Sequence, residues 1–389
     1  MAGELIPGLL SEARRARPGE ARHGPQGTGR RGVRDGDRGP DADRLRQRQQ
    51  RALGQRRVRE ASCRLRRQER TDRRGLDRPA ERDRVVQPSL GQTCPGKSLA
   101  YNPTGSGAGR EQFIAGHVDF AGSDSPLVAN QIAPAAKRCN GNPAWDLPLV
   151  FGPIALIYNL PGVDSLVVNA DVLGKIFSGL ITSWNDPAMV ALNHDAALPE
   201  TKITPVYRSD SSGTTDNFQK YLTAAAPESW TKGVGTEFQG GVGEGAQKSA
   251  GVVQAVQTTP GAIGYVEKGF ADQAGVRVAQ IDTGSGAVKL TDEAARNAID
   301  HARFEGHGND LMLNLTALYA TKEPGAYPLV LATYEIVCSK GYDRATSVAV
   351  KSFLTVAANG GQDGLSAAGY VPLPDKFKQR LVAAVNAIQ

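Results

Sequence analysis

Residues 202–226 read KITPVYRSDSSGTTDNFQKYLTAAA. The first nine residues read as a strand with Arg208 near its end, and the stretch from Ser212 reads as a helix with Ser, Gly and Thr at its front. A helix N-terminus leaves backbone N–H groups unpaired and favours negative charge, so this strand–turn–helix can hold an anion. Arg208 could add two parallel N–H bonds to an oxyanion, and Asp210 could hold its guanidinium in place. The alternative is an ordinary N-cap at a polar surface turn, since Ser and Thr are common caps.

The same design occurs about a hundred residues earlier. In TGSGAGREQF, residues 104–113, Gly105-Ser106-Gly107 closes a strand and opens a helix. The glycines permit close backbone approach, and Ser106 adds a hydroxyl. Asp124, in VDFAGSDSPL at 118–127, is the discriminating residue. A carboxylate aimed into an oxyanion site repels the ligand unless the ligand brings a proton to donate. Phosphate carries such a proton near neutral pH and sulfate does not. The plainer reading is that Asp124 caps the turn before Pro126.

Strands and helices alternate around these loops. KSLAYNPTG (97–105) reads as a short strand, and DLPLVFGPIALIYNL (146–160) as one or two buried strands. NADVLGKIFSGLITSWNDPAMVALN (169–193) is helical with a Gly break and a Pro that opens a second helix. TPGAIGYVE (259–267) is a turn into a strand, and YPLVLATYEIVCS (327–339) a strand. The pattern predicts an α/β protein with mainly parallel sheets, large enough for two lobes.

The charge is divided. Residues 1–90 hold 24 Arg, no Lys and 13 acidic residues, a net +11. The remainder has 22 basic and 27 acidic residues, a net −5. The front segment contains no Phe, Tyr, Trp or Asn, too little apolar surface to offset the entropy of ordering, so disorder is expected there. Three readings stand: an Arg-rich arm for nucleic acid, a solvated tail, or an out-of-frame translation of GC-rich DNA. The opening MAGELIPGLLSEARRARPGE shows no basic n-region and no adequate apolar core, so no export signal is visible. No apolar run approaches the ~18 residues of a membrane-spanning helix.

Several weak signals point nowhere. GTGRRG at 27–32 fits a dinucleotide fingerprint but follows no strand and opens no helix. GGVGEGAQKS at 240–249 lacks the Gly directly before Lys248 that a phosphate-binding P-loop needs. His301 and His307 read as surface residues, and no nucleophile with a base stands near the two loops. The four cysteines form no CxxC and have no His at metal spacing, so no metal site and no cofactor are expected. Isolated buried thiols and disulfides are both open; if bridged, Cys94 and Cys139 are the expected pair.

Together AYNPTGSGAGREQF…VDFAGSDSPL, VYRSDSSGTTDNF and TPGAIGYVE, in this order and separation, resemble the phosphate-binding protein of the high-affinity phosphate ABC importer. The resemblance runs from about residue 91 to the C-terminus. It implies a two-lobed periplasmic-binding-protein fold of type 2 with phosphate sealed between the lobes. Residues 91–158 plus 328–389 would form lobe 1, and 159–327 lobe 2, with crossings near 158–162 and 325–329. Carried over by motif, Ser106 and Asp124 come from the first lobe, and Arg208, Ser212, Gly213 and Thr214 from the second, with Asp210 supporting the arginine. The resemblance further implies a monomer that is no enzyme, binds inorganic phosphate, delivers it to the membrane permease of an ABC importer, and works outside the membrane, often as a lipoprotein. A binder of another, sulfate-like oxyanion is the alternative. The departure is at the front, where family members carry an export signal, a first strand and a Gly-Ser/Ala-Thr loop. None of these is visible here, and without that strand and loop the sheet would gain an open edge and the cradle would lose donors.

Overall fold

The computed structural model describes residues 90, 92–94 and 99–389. The readings made for residues 1–89 fall outside these. Leu90 packs into the core beside Cys94. Of the stretch KSLAYNPTG read as a short strand, residues 99–105 carry no strand assignment, and residues 97 and 98 lie outside the described residues.

Helix α1 (Ser106–Ile114) is followed by strand β1 (Ala121–Ser123), helix α2 (Ala129–Arg138) and the long strand β2 (Ala144–Tyr158). Next come β3 (Val167–Val168), α3 (Ala170–Phe177), α4 (Pro187–Leu192), β4 (Thr204–Arg208) and α5 (Gly213–Ala225). They lead to β5 (Glu244–Ala246), α6 (Lys248–Thr258), β6 (Ala262–Glu267), α7 (Lys268–Ala274) and β7 (Arg277–Val278). β8 (Gln280–Asp282), β9 (Ala287–Val288), α8 (Asp292–Ile299), β10 (Arg303–Phe304), β11 (Leu313–Asn314) and α9 (Thr316–Tyr319) precede β12 (Val330–Cys338). Helices α10 (Arg344–Ala358) and α11 (Asp375–Ala387) end the chain. The helices start where side chains supply caps. Asn169 accepts from the Val172 N–H, Asp186 from Ala188 ahead of Pro187, and Asp343 from Ala345 and Thr346.

The main sheet runs β1-β12-β2-β6-β4-β5, with β7 also on β2. β1 with β12, β12 with β2 and β2 with β6 are antiparallel; β6, β4 and β5 are parallel. The sheets are therefore mixed rather than mainly parallel. The physical reason is that β2 and β12 carry the chain through the centre in opposite directions. β2 is a single strand: residues 144–153 pair with β12, and 154–158 pair with β6. From Asp146 to Tyr158 every residue is buried, so the run shows no alternation of apolar and polar residues.

A bulge interrupts the β2–β12 ladder, where Thr333 faces Val150 but Tyr334 faces Pro148. The extra residue is Leu149. Its carbonyl, freed from the ladder, accepts from the buried side-chain amide of Gln362 at 3.1 Å. The disulfide differs from the expected pair. Cys139 is bonded to Cys338, 199 residues away, and not to Cys94. Residues that far apart meet because the β2–β12 ladder pairs Cys338 with Ala144, just beyond the end of α2.

Candidate functional site

α5 is held in place by its own buried face. Phe218 stacks on Tyr265 of β6 at 4.4 Å and meets Phe177 edge-on at 4.8 Å. The Thr215 hydroxyl is hydrogen-bonded to the Tyr265 hydroxyl at 2.8 Å. Ser212 caps the helix, its Oγ accepting from the Thr215 N–H at 3.3 Å. The helix N-terminus is therefore fixed, with Gly213 and Thr214 in its first turn, where N–H groups lack intrahelical partners. The Thr214 hydroxyl is buried and has no hydrogen-bond partner. A polar group in that state is costly unless a ligand or water completes it.

Arg208 ends β4 and is 7% exposed. Asp210 accepts from Nε at 2.7 Å and from one terminal nitrogen at 2.5 Å, and the other terminal nitrogen donates to Ser249 Oγ at 3.2 Å. A guanidinium has five N–H donors, so two remain for a ligand. Burial pulls the Arg208 pKa down, but the hydrogen bond and charge of Asp210 outweigh it and the net shift is upward. For Asp210 burial acts upward, and Arg208 together with the Lys248 N–H brings its pKa below the usual carboxylate range. Asp210 also accepts from Lys248 N at 2.9 Å, tying the arginine to the start of α6.

Opposite lies the start of α1. Gly105 has φ 102°, a left-handed conformation that favours glycine. A methyl group on Gly105 would lie 3.0 Å from the Ser211 carbonyl and 4.0 Å from an Arg208 terminal nitrogen. One on Gly107 would lie 1.9 Å from Ser211 Oγ, and one on Gly213 2.5 Å from Ser106 Oγ and 2.6 Å from Asp124 Cβ. The glycines thus let the two loops meet. Asp124 N donates to Ser106 Oγ at 3.1 Å, and Ser106 Oγ lies 3.5 Å from Asp124 Oδ2. All seven residues singled out in the sequence converge here: Ser106, Asp124, Arg208, Asp210, Ser212, Gly213 and Thr214. Donors from Arg208, Ser106 and the α5 N-terminus gather beside the Asp124 carboxylate, whose Oδ2 has only the long contact from Ser106 Oγ, while Asp210 is spent on Arg208.

Sequence reasoning passed over the residues that hold these groups. Ser125 donates to Asp216 Oδ2 at 2.6 Å, and Lys220 pairs with the same oxygen at 2.6 Å. Asn217 donates to the Asp124 carbonyl at 2.7 Å, and its own Oδ1 accepts from the Tyr319 hydroxyl at 2.5 Å. Asp216 and Asn217 were visible within the motif, as polar residues one turn into a helix. Ser249 lies in the stretch that fails as a P-loop and carries no anion signal of its own. Thr333 donates to Asp124 Oδ1 at 2.8 Å; its one hint was a hydroxyl within the apolar run PLVLATYEIVC. Arg110, 4% exposed, reaches the Ser125 carbonyl at 3.3 Å; burial depresses its pKa against the charges of Asp216, Asp146, Glu111 and Asp124.

Known proteins share this architecture. The PBP superfamily domain matches residues 82–359. The phosphate-binding protein PstS3 of Mycobacterium bovis (strain BCG / Pasteur 1173P2) is 51% identical over 299 residues, covering 76% of this chain and 80% of the relative. The phosphate-binding protein PstS 2 of Mycobacterium tuberculosis (strain ATCC 25618 / H37Rv) is 49% identical over 301 residues, 76% of this chain and 81% of the relative. Among solved structures, a high affinity periplasmic phosphate-binding protein (PfluDING) bound with phosphate superposes with a TM-score of 0.64 at 22% identity. That match covers 78% of this chain and 91% of the other, and at this identity it speaks for the fold.

Proposed function

The chain belongs to the phosphate-binding proteins of the PBP superfamily, and from that premise we propose that it captures inorganic phosphate between two lobes and delivers it to an ABC importer permease. The observation that carries the reading is the convergence of the seven residues: donors from Arg208, Ser106, Ser212, Gly213 and Thr214 lie beside the Asp124 carboxylate, with Asp210 holding the arginine. Arg208 and the α5 N-terminus take the negative oxygens, Ser106, Ser212 and Thr214 add hydroxyls, and Asp124 accepts the proton of the ligand. The chemistry is binding: capture needs no bond making or breaking. Expulsion of water on closure strengthens each hydrogen bond.

The change of partners within β2 after Pro153, about five residues ahead of the crossing expected near 158–162, supports a division into lobe 1 (91–158 plus 328–389) and lobe 2 (159–327) with its boundary displaced toward Pro153. An extracytoplasmic site of action, a permease partner and a monomeric carrier belong to the same proposal. The nucleic-acid reading of residues 1–90 falls, apart from Leu90, outside the described residues. Titration calorimetry with phosphate and with sulfate tests the assignment. Phosphate binding unaffected by excess sulfate is expected; sulfate binding as tightly as phosphate would falsify it.

A further inference from the structure

We propose that Thr333, which lies on neither anion-binding loop, sets the anion selectivity of Asp124; this rests on the phosphate-binding reading above. The β1–β12 ladder pairs Ala121 with Ile336, Gly122 with Glu335 and Ser123 with Tyr334. The next position opposes Asp124 to Thr333. Thr333 is fully buried, and its Oγ1 donates to Asp124 Oδ1 at 2.8 Å. The hydroxyl's one proton goes to Oδ1, and this bond restrains rotation of the carboxylate. The carbonyl of Asp124 is held by Asn217 and its N–H by Ser106. What remains is Oδ2, whose nearest partner is Ser106 Oγ at 3.5 Å, long for an O–H···O bond. It is the oxygen left to accept a proton from a ligand.

The neutrality of the donor matters. Charged groups surround this site: Arg110 from α1, Arg208 and Asp210 at the end of β4, and Asp216 in the first turn of α5. An arginine or lysine in place of Thr333 would offset the charge of Asp124 and admit an oxyanion with no proton to give. The threonine hydroxyl fixes the carboxylate while leaving that charge intact. The alternative occupant of such a buried strand position is valine, which has the same shape and no polar group to satisfy. In this chain the hydroxyl is present and bonded to Asp124.

The test is titration calorimetry of the full chain with inorganic phosphate, alone and against excess sulfate, for Thr333→Val, Thr333→Ser and Asp124→Asn. Thr333→Val is expected to lose about tenfold in phosphate affinity, the effect of one hydrogen bond to a charged group. Sulfate should now compete, narrowing the phosphate-over-sulfate ratio, and Thr333→Ser should restore it. A Thr333 that only fills space would change both anions by the same factor, or neither, and that result overturns the inference. If Asp124→Asn collapses the ratio while Thr333→Val leaves it intact, the inference fails and the phosphate reading stands. If Asp124→Asn itself keeps the wild-type ratio, both fall.

Discussion

Arg208 illustrates how little of a buried charge is free. Three of its five N–H groups are spent on Asp210 and Ser249, and two remain. Arg208→Ala is expected to cost at least ~3 kcal/mol of phosphate binding, because it removes those two donors and strands Asp210 beside the site. Calorimetric titration measures it, and near-native affinity would overturn the role of the arginine. A second single-residue effect concerns Asp146, outside the site. Burial and the charge of Asp310 push its carboxyl up to about 7, against the Leu127 N–H and Arg110. A folded-state pKa above the unfolded one contributes stability that is complete below about pH 4 and is lost as pH rises through about 7. Asp146→Asn keeps an acceptor for Leu127 and removes the titration. Wild type should therefore lose stability relative to Asp146→Asn between about pH 4 and 7, by up to ~1.4 kcal/mol per pH unit, and level off above that. Urea midpoints of the two proteins across that range check it; parallel curves would refute the linkage.

At the scale of elements, the first turn of α5 is both cradle and clamp. Gly213 and Thr214 belong to the site, while Asp216 and Asn217, one step further on, grip residues 124 and 125 of the loop after β1. Asn217 also accepts from Tyr319 of α9, which fixes its amide orientation so that Nδ2 points at Asp124. Its bond goes to a backbone carbonyl and touches no group that distinguishes one anion from another. Asn217→Ala is expected to weaken phosphate binding about tenfold through faster release, with phosphate and sulfate affected alike. Stopped-flow dissociation with both anions reads this out, and a change in selectivity would contradict it. The two predictions contrast a residue that holds the backbone of Asp124 with one that holds its carboxylate.

At the scale of the whole molecule, the architecture depends on two long strands that run through its middle. β2 serves β12 along one stretch and β6 along the next, so one strand carries the core from one part of the sheet to the other. The Cys139–Cys338 bridge closes a loop of 199 residues that contains most of this structure. Replacing both cysteines by serine should lower unfolding stability by ~2–5 kcal/mol, since a long cross-link restricts the unfolded chain most. Denaturant unfolding checks it; an unchanged midpoint would show that the bridge adds nothing to the fold.

Much of this was legible locally. The alternation of apolar runs with helical stretches, the two small-residue turns and the strand-end arginine depend on neighbours a few residues away. Backbone sterics and capping chemistry act at that range, so the anion loops and the seven site residues could be read from the sequence. Thr333, Ser249 and the partner of Cys139 could not. Each acquires its role from a residue brought alongside by strand register or helix packing, 41 residues away for Ser249 and Arg208 and 209 for Thr333 and Asp124. The mixed direction of the sheet belongs with them, because pairing depends on where each strand returns. The sequence by itself determined which stretches could hold an anion. Only the tertiary structure decided which oxygen of Asp124 is bonded to Thr333, because register, a long-range property, set Thr333 opposite.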